Sequence, residues 1–210
     1  LGFLVLGGLV PCAAAGFFSN NPYPWDVDQD ERVLYASFVE APKNLDPQKA
    51  YTTWDGLVVS LAYESLLSYD YLERPLKLTP QLATAIPKAE VLTDSEGNFA
   101  GTRYRFTIQQ GVLFADDPCF PSGRGREVTA SDFVYAFQRL ADPKTNCPVA
   151  DSFGHIKGFR AYRETLKNME DAERKRLSVN VGSFAFYQSL GKIEGVVQTG
   201  RYSFDLVLED

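Results

Sequence analysis

Residues 103–114 read RYRFTIQQGVLF and residues 129–140 read TASDFVYAFQRL. In the first stretch Tyr104, Phe106 and Ile108 alternate with Arg103, Arg105 and Thr107, the period-two pattern of a strand with one buried face. Gly111 to Phe114 continues as a second short extended piece, and Asp116-Asp117-Pro118 turns the chain. In the second stretch Thr129 is placed as a helix N-cap with Asp132 three residues on, and Phe133, Phe137 and Leu140 fall on one face. Asp142-Pro143 ends that helix. Strand, turn and helix in one run predict a mixed helix-and-sheet fold.

Working outward, Phe159 to Leu177 predicts an amphipathic helix, with Tyr162, Leu166 and Met169 opposite a Glu/Lys/Arg surface that reads as a solvated face. Tyr202, Phe204, Leu206 and Leu208 alternate with Ser203, Asp205 and Val207 in a final strand. Towards the N-terminus, Val58, Leu61, Ala62, Leu66 and Tyr69 share a face and predict a helix from Leu57, broken at Arg74-Pro75. Thr79-Pro80 predicts the start of a short helix carrying Leu82, Ala83 and Ile86, ended before Pro87. Val33 to Phe38 (VLYASF) is almost wholly apolar, as in a strand buried on both faces. The loop after such a strand is where α/β proteins bind ligands, so Glu40 to Trp54 is the first place to look for function.

Composition narrows the class. Apolar residues at 45% and charged residues at 23% are ordinary for a folded protein. A net charge of −6 leaves no basic footprint for nucleic acid, and Gly123-Arg124-Gly125-Arg126 reads as a surface turn. The lone histidine, His155, cannot build a histidine metal site. Asp26, Asp28 and Asp30 imitate the opening of a calcium loop, but Glu31 and Ser37 stand where Gly and Glu are needed. Leu1 to Val10 is an uncharged apolar run, too short to span a bilayer and matching the hydrophobic part of an export signal. Two cleavage readings stand side by side: lipidation of Cys12, and ordinary cleavage after Ala13-Ala14-Ala15. Cys119 and Cys147 flank the Thr129 helix and are a candidate disulfide in an oxidising compartment, against the alternative of two free thiols.

In order and spacing these pieces resemble the family 5 extracellular solute-binding proteins, which include the oligopeptide- and dipeptide-binding proteins. The resemblance rests on Asn44-Leu45-Asp46-Pro47, Tyr63 to Leu67, Leu78 to Ala83, Tyr104 to Ile108 with Gly111-Val112 and Phe114, Val128 to Tyr135, Asp142 to Thr145, His155 to Gly158 and Ile193 to Gly195. The segment Asp116 to Glu127 departs from the family's short Asp-Gly turn. The resemblance implies an α/β, periplasmic-binding-protein-like fold of two lobes, of which the chain holds part of the first lobe and its α+β subdomain. The implied organisation is an export or lipoprotein signal over 1–18 and a linker over 19–32. The first strand and cleft loop of lobe I then occupy 33–56, and a β-rich, incomplete subdomain 57–210. The second lobe lies outside the chain.

By the same resemblance the protein is no enzyme and needs no cofactor. It is a monomeric, exported carrier that captures peptides for an ABC importer permease, held to the membrane by lipid alone if Cys12 is modified. Family members place ligand contacts just after Leu-Asp-Pro, which points here to Tyr51 and Thr53, then to Thr52 and Trp54. No Ser/His/Asp or Cys/His set suggests catalysis. Alternative readings are a family member with a non-peptide ligand (nickel chelate, haem or sugar) and an exported surface or adhesion protein.

Overall fold

The computed structural model describes residues 39–178 and 183–209. The expected signal, linker and Val33–Phe38 strand, with Cys12, lie outside the described residues. Ala41–Asp210 forms one compact unit. Its elements run α1 (Thr53–Ala62), β1 (Leu67–Tyr69), β2 (Leu78–Pro80), β3 (Ala89–Thr93), β4 (Phe99–Thr107), α2 (Ala130–Ala141), α3 (Phe159–Asn168), α4 (Asp171–Ser178), α5 (Ser183–Ser189), β5 (Val196–Gly200) and β6 (Ser203–Leu208).

The expected Tyr104 and Phe204 strands are the centre of the structure. β4 and β6 are antiparallel, with Tyr104 opposite Leu206 and Phe106 opposite Phe204. β3 and β5 complete a sheet of order β3-β4-β6-β5, antiparallel throughout. One face of that sheet packs on α2 through Phe204. Its ring lies 5.3 Å from that of Phe106 and 5.6 Å from that of Phe133, stacked on both, and the side chain is wholly buried. The other face is polar yet covered: Asp205 is buried because Arg105 folds over it, Nε donating to Oδ1 at 2.8 Å and Nη2 to Oδ2 at 2.9 Å.

α2 joins two apolar clusters. Ala83, Phe106, Ile108, Ala130 and Phe204 form one, and Ala141, Ile156, Phe159, Tyr162, Leu166, Phe186, Tyr187, Ile193 and Val196 the other. Val134 and Phe137 of α2 pack against both. The sequence marks this helix correctly at its start, where Thr129 and Asp132 form a reciprocal capping box. The segments around His155 and Gly195 also meet: Lys157 N donates to Val207 O at 2.9 Å and Gly195 N to Lys157 O at 2.7 Å.

Three expected helices differ. The helix expected from Leu57 begins at Thr53 and ends at Ala62, because the Thr52/Asp55 capping box starts it a turn early. Leu66, in the bend before β1, and Tyr69, within it, then lie beyond the helix rather than on its face. The helix expected from Thr79 is replaced by the β1–β2 hairpin and an irregular stretch. Here the backbone bonds sideways, Leu82 N to Ser65 O, Ala83 N to Leu66 O and Thr84 N to Thr107 O, and no helical ladder can form. The Phe159–Leu177 helix breaks at Met169, whose extended backbone ends α3. The break carries Arg174 of α4 inward, where it ion-pairs with buried Asp142, so the charged surface is not wholly solvated. Tyr187 Oη donates to the same carboxylate at 2.7 Å.

Candidate functional site

The loop expected to carry function is organised by a residue that the sequence reading passed over. Asp55 is the one buried side chain of α1, 1% exposed. Its Oδ1 accepts from Lys43 N at 2.6 Å and Asn44 N at 3.1 Å, and its Oδ2 from Tyr51 N at 3.4 Å and Thr52 N at 3.3 Å. One carboxylate therefore gathers both ends of the 43–52 loop. In return Thr52 Oγ1 accepts from Asp55 N at 3.1 Å. Burial works to raise the Asp55 pKa, but the backbone donors of Asn44, Lys43 and Thr52 outweigh it and hold it down to about 2. The carboxylate stays charged and keeps its donors.

The four expected contact residues divide accordingly. Thr52 is a helix cap, its side chain engaged with Asp55. Trp54 is half-buried. Tyr51, at 73% exposure, and exposed Thr53 stand out from the loop.

The tip of the same loop is fastened to α2. The Arg139 guanidinium grips the Asp46 carboxylate with two bonds, Nη1 to Oδ1 at 2.9 Å and Nη2 to Oδ2. Gln48 Nε2 donates to Ala136 O at 2.7 Å. Asp46 also accepts from Gln48 N at 3.1 Å through Oδ1, closing the turn on itself. The Arg139 hydrogen bond holds the Asp46 carboxyl below its ordinary value.

A second Arg–Asp clamp sits one heptad away on the same helix face: Arg126 grips Asp132. Arg126 belongs to the Asp116–Glu127 insert, so the run read as a surface turn also supplies a structural cation. Its guanidinium lies 4.9 Å above the Phe114 ring, and Phe114 and Phe120 sit 5.8 Å apart. Gly125 is required there, since a Cβ would stand 1.8 Å from Phe114 O. Glu127 closes the insert, Oε1 accepting from Gly111 N at 2.8 Å and Oε2 from Tyr202 Oη at 2.7 Å.

Between the two clamps lies an open groove of about 1690 Å³. Its walls include Asp46, Pro47 and Gln48 of the loop, Tyr63 after α1, Phe114 before the insert and Phe120 within it, and Tyr135 and Arg139 of α2. Tyr51 to Trp54 are not among its lining residues. Sequence spacing could have found this helix face, because Asp132, Tyr135, Ala136 and Arg139 recur at i, i+3, i+4 and i+7, beside the Phe133 and Phe137 stripe. It could also have found Asp55, three residues after Thr52 in the capping pattern.

Of the two alternatives for Cys119 and Cys147, the structure has both as free thiols. Cys119 is exposed on the insert, and Cys147 is half-buried in the segment that follows α2. His155 is exposed in a turn. Among the described residues no group of three or more His, Cys, Asp and Glu is placed to hold a metal ion.

Comparison with known proteins gives the family and the fold. The profile of the bacterial extracellular solute-binding proteins, family 5 middle, matches residues 77–209. The periplasmic murein peptide-binding protein MppA of Escherichia coli (strain K12) is 29% identical over 121 residues, 58% of this chain and 19% of its own length. The oligopeptide-binding protein OppA of Bacillus subtilis (strain 168) is 25% identical over 170 residues, 81% of this chain and 27% of its own. The chain thus spans about a fifth to a quarter of the curated relatives it matches. Among solved structures, the pheromone receptor PrgZ superposes with a TM-score of 0.54 at 23% identity, covering 81% of this chain and 26% of that one. Listeria monocytogenes OppA bound to peptide gives 0.50 at 17%, with the same coverage. These likenesses place the described residues in an OppA-like periplasmic-binding-protein fold, with the antiparallel α+β arrangement expected of its subdomain. The chain belongs to the bacterial extracellular solute-binding proteins of family 5.

Proposed function

We propose that this chain is part of the substrate-binding component of an ABC importer, which captures peptides outside the cytoplasm and presents them to a membrane permease. The observation that carries the reading is the family match over 77–209, joined to two curated relatives that are both named for peptide binding. In this reading 33–56 supplies the first strand and cleft loop of a lobe, and 57–210 the subdomain packed beside it. The work is capture rather than chemistry: a peptide backbone pairs with protein backbone groups as an added strand, with little demand on its sequence. Closure around the ligand follows from tighter binding to the closed form. The protein acts as a monomer, either soluble after cleavage near Ala15 or anchored through a lipid on Cys12.

The loop geometry supports this. Tyr51 and Thr53 project from a segment whose backbone is already fixed, so ordering them on a ligand costs little further entropy. We expect Tyr51 and Thr53 to touch the ligand, Thr52 to serve as a cap and Trp54 to pack. In the full protein as encoded, Tyr51→Ala with Thr53→Ala should weaken binding of short peptides about tenfold or more in a calorimetric titration, with thermal stability nearly unchanged. Unchanged affinity would place the contacts elsewhere. Binding of a nickel chelate, haem or a sugar in place of peptides would replace the ligand class.

A further inference from the structure

Resting on that peptide-binding reading, we propose that the Asp46–Arg139 pair is a positioning device for ligand capture. It holds the 43–54 loop against α2 in the arrangement that presents Tyr51 and Thr53, and makes no ligand contact of its own. Three observations lead there. First, α1 and the loop before it bury a single α1 side chain, Asp55, and that carboxylate bonds within the segment, to Lys43, Asn44, Tyr51 and Thr52. Asp55 therefore fixes the internal shape of the loop but not its place on the molecule. Second, the attachment to α2 comes from the loop tip: Asp46 to Arg139, and Gln48 Nε2 to Ala136 O. Third, the partners meet in a two-bond, charge-assisted contact, with Asp46 Oδ1 also accepting from Gln48 N at 3.1 Å. The two carboxylate oxygens each receive one guanidinium nitrogen, and the side chains are 24% and 29% exposed, partly shielded from solvent screening.

The physical consequence is a population effect. With the pair intact the loop sits in one place. Without it, the loop–α1 segment samples several, and apparent affinity falls by the fraction of time spent in the competent one. That loss appears in the association rate, because a ligand already bound has selected the competent loop and leaves at the ordinary rate. A contact residue behaves oppositely, raising the dissociation rate. General destabilisation, well below the melting temperature, alters neither.

The test uses the full protein and a randomised tetrapeptide mixture as probe, followed by stopped-flow measurement with tri-alanine or the best-binding single peptide. Arg139→Ala and Asp46→Ala should each slow association about tenfold with dissociation unchanged. The double variant should be no worse than either single one, and the reversed pair Asp46→Arg with Arg139→Asp should recover a substantial part of the rate. If the variants lose melting temperature but bind at the parent rates, the pair is purely structural and the proposal fails while the peptide reading stands. A faster dissociation would make Arg139 a ligand contact and also overturn it. If the unaltered protein binds no tetrapeptide, the peptide reading fails and this inference falls with it.

Discussion

Replacing Phe204 by alanine is the sharpest test of the fold that holds the site. Phe204 is wholly buried, stacked at 5.3 Å on Phe106 of β4 and at 5.6 Å on Phe133 of α2, with Phe137 at 6.4 Å. The ring thus connects the central strand pair to the helix that carries both Arg–Asp clamps. Truncation removes the transfer energy of a full aromatic side chain and leaves a cavity among rings that are themselves stacked, a combination worth about 3–5 kcal/mol. Since a domain of this size has about 5–15 kcal/mol in total, the variant should unfold at much lower urea than the parent, with an unchanged slope. Phe204→Leu, which keeps most of the volume and loses the stacking, should lose about 1–2 kcal/mol and remain folded. Val91→Ala, on the 65% exposed edge-strand side chain, is the control and should fall within about 0.5 kcal/mol of the parent. A loss below about 1 kcal/mol for Phe204→Ala would refute the packing of sheet on helix described above.

Two further outcomes follow from local chemistry. Asp55 is held down to about 2 and Asp46 below its ordinary value, so each folds with its proton off. Their contribution is complete above the ordinary carboxylate value of 3.8 and is lost as pH falls towards 2; acid unfolding should steepen in that window, and Asp55→Asn should flatten it in a pH series of melting temperatures. Cys119 and Cys147 should both alkylate in the native protein under non-reducing conditions, and a reductant should leave the melting temperature unchanged.

The sequence was most legible where one physical signal acted alone. The alternation of Tyr104, Phe106 and Ile108 against Arg103 and Arg105 marks β4 because one face of that strand meets the core and the other meets charge. The Thr129/Asp132 box marks α2 because capping is a local event. It was less legible where distant partners decide. Leu82 and Ala83 look helical by spacing, yet their backbone bonds go to residues 65 and 66. Arg174 looks like one more surface charge until Met169 breaks the helix and turns it towards Asp142. At the candidate site, the Asn44–Trp54 loop was singled out because it follows the apolar Val33–Phe38 run in the sequence. The carboxylate that shapes it, Asp55, and the cation that seats it, Arg139, lie outside that stretch. Arg139 is 93 residues from its partner Asp46, a separation that no window-based reading spans.

The central claim, that this chain serves peptide capture, is tested most directly by what the protein holds when it is made. Full protein purified gently from its own cells, denatured, filtered and passed to mass spectrometry should release a ladder of short peptides in near-stoichiometric amount, of mixed sequence as backbone-paired binding allows. Release of a single non-peptide compound in that amount, or of nothing from a protein that also gives no heat with a peptide mixture, would contradict it.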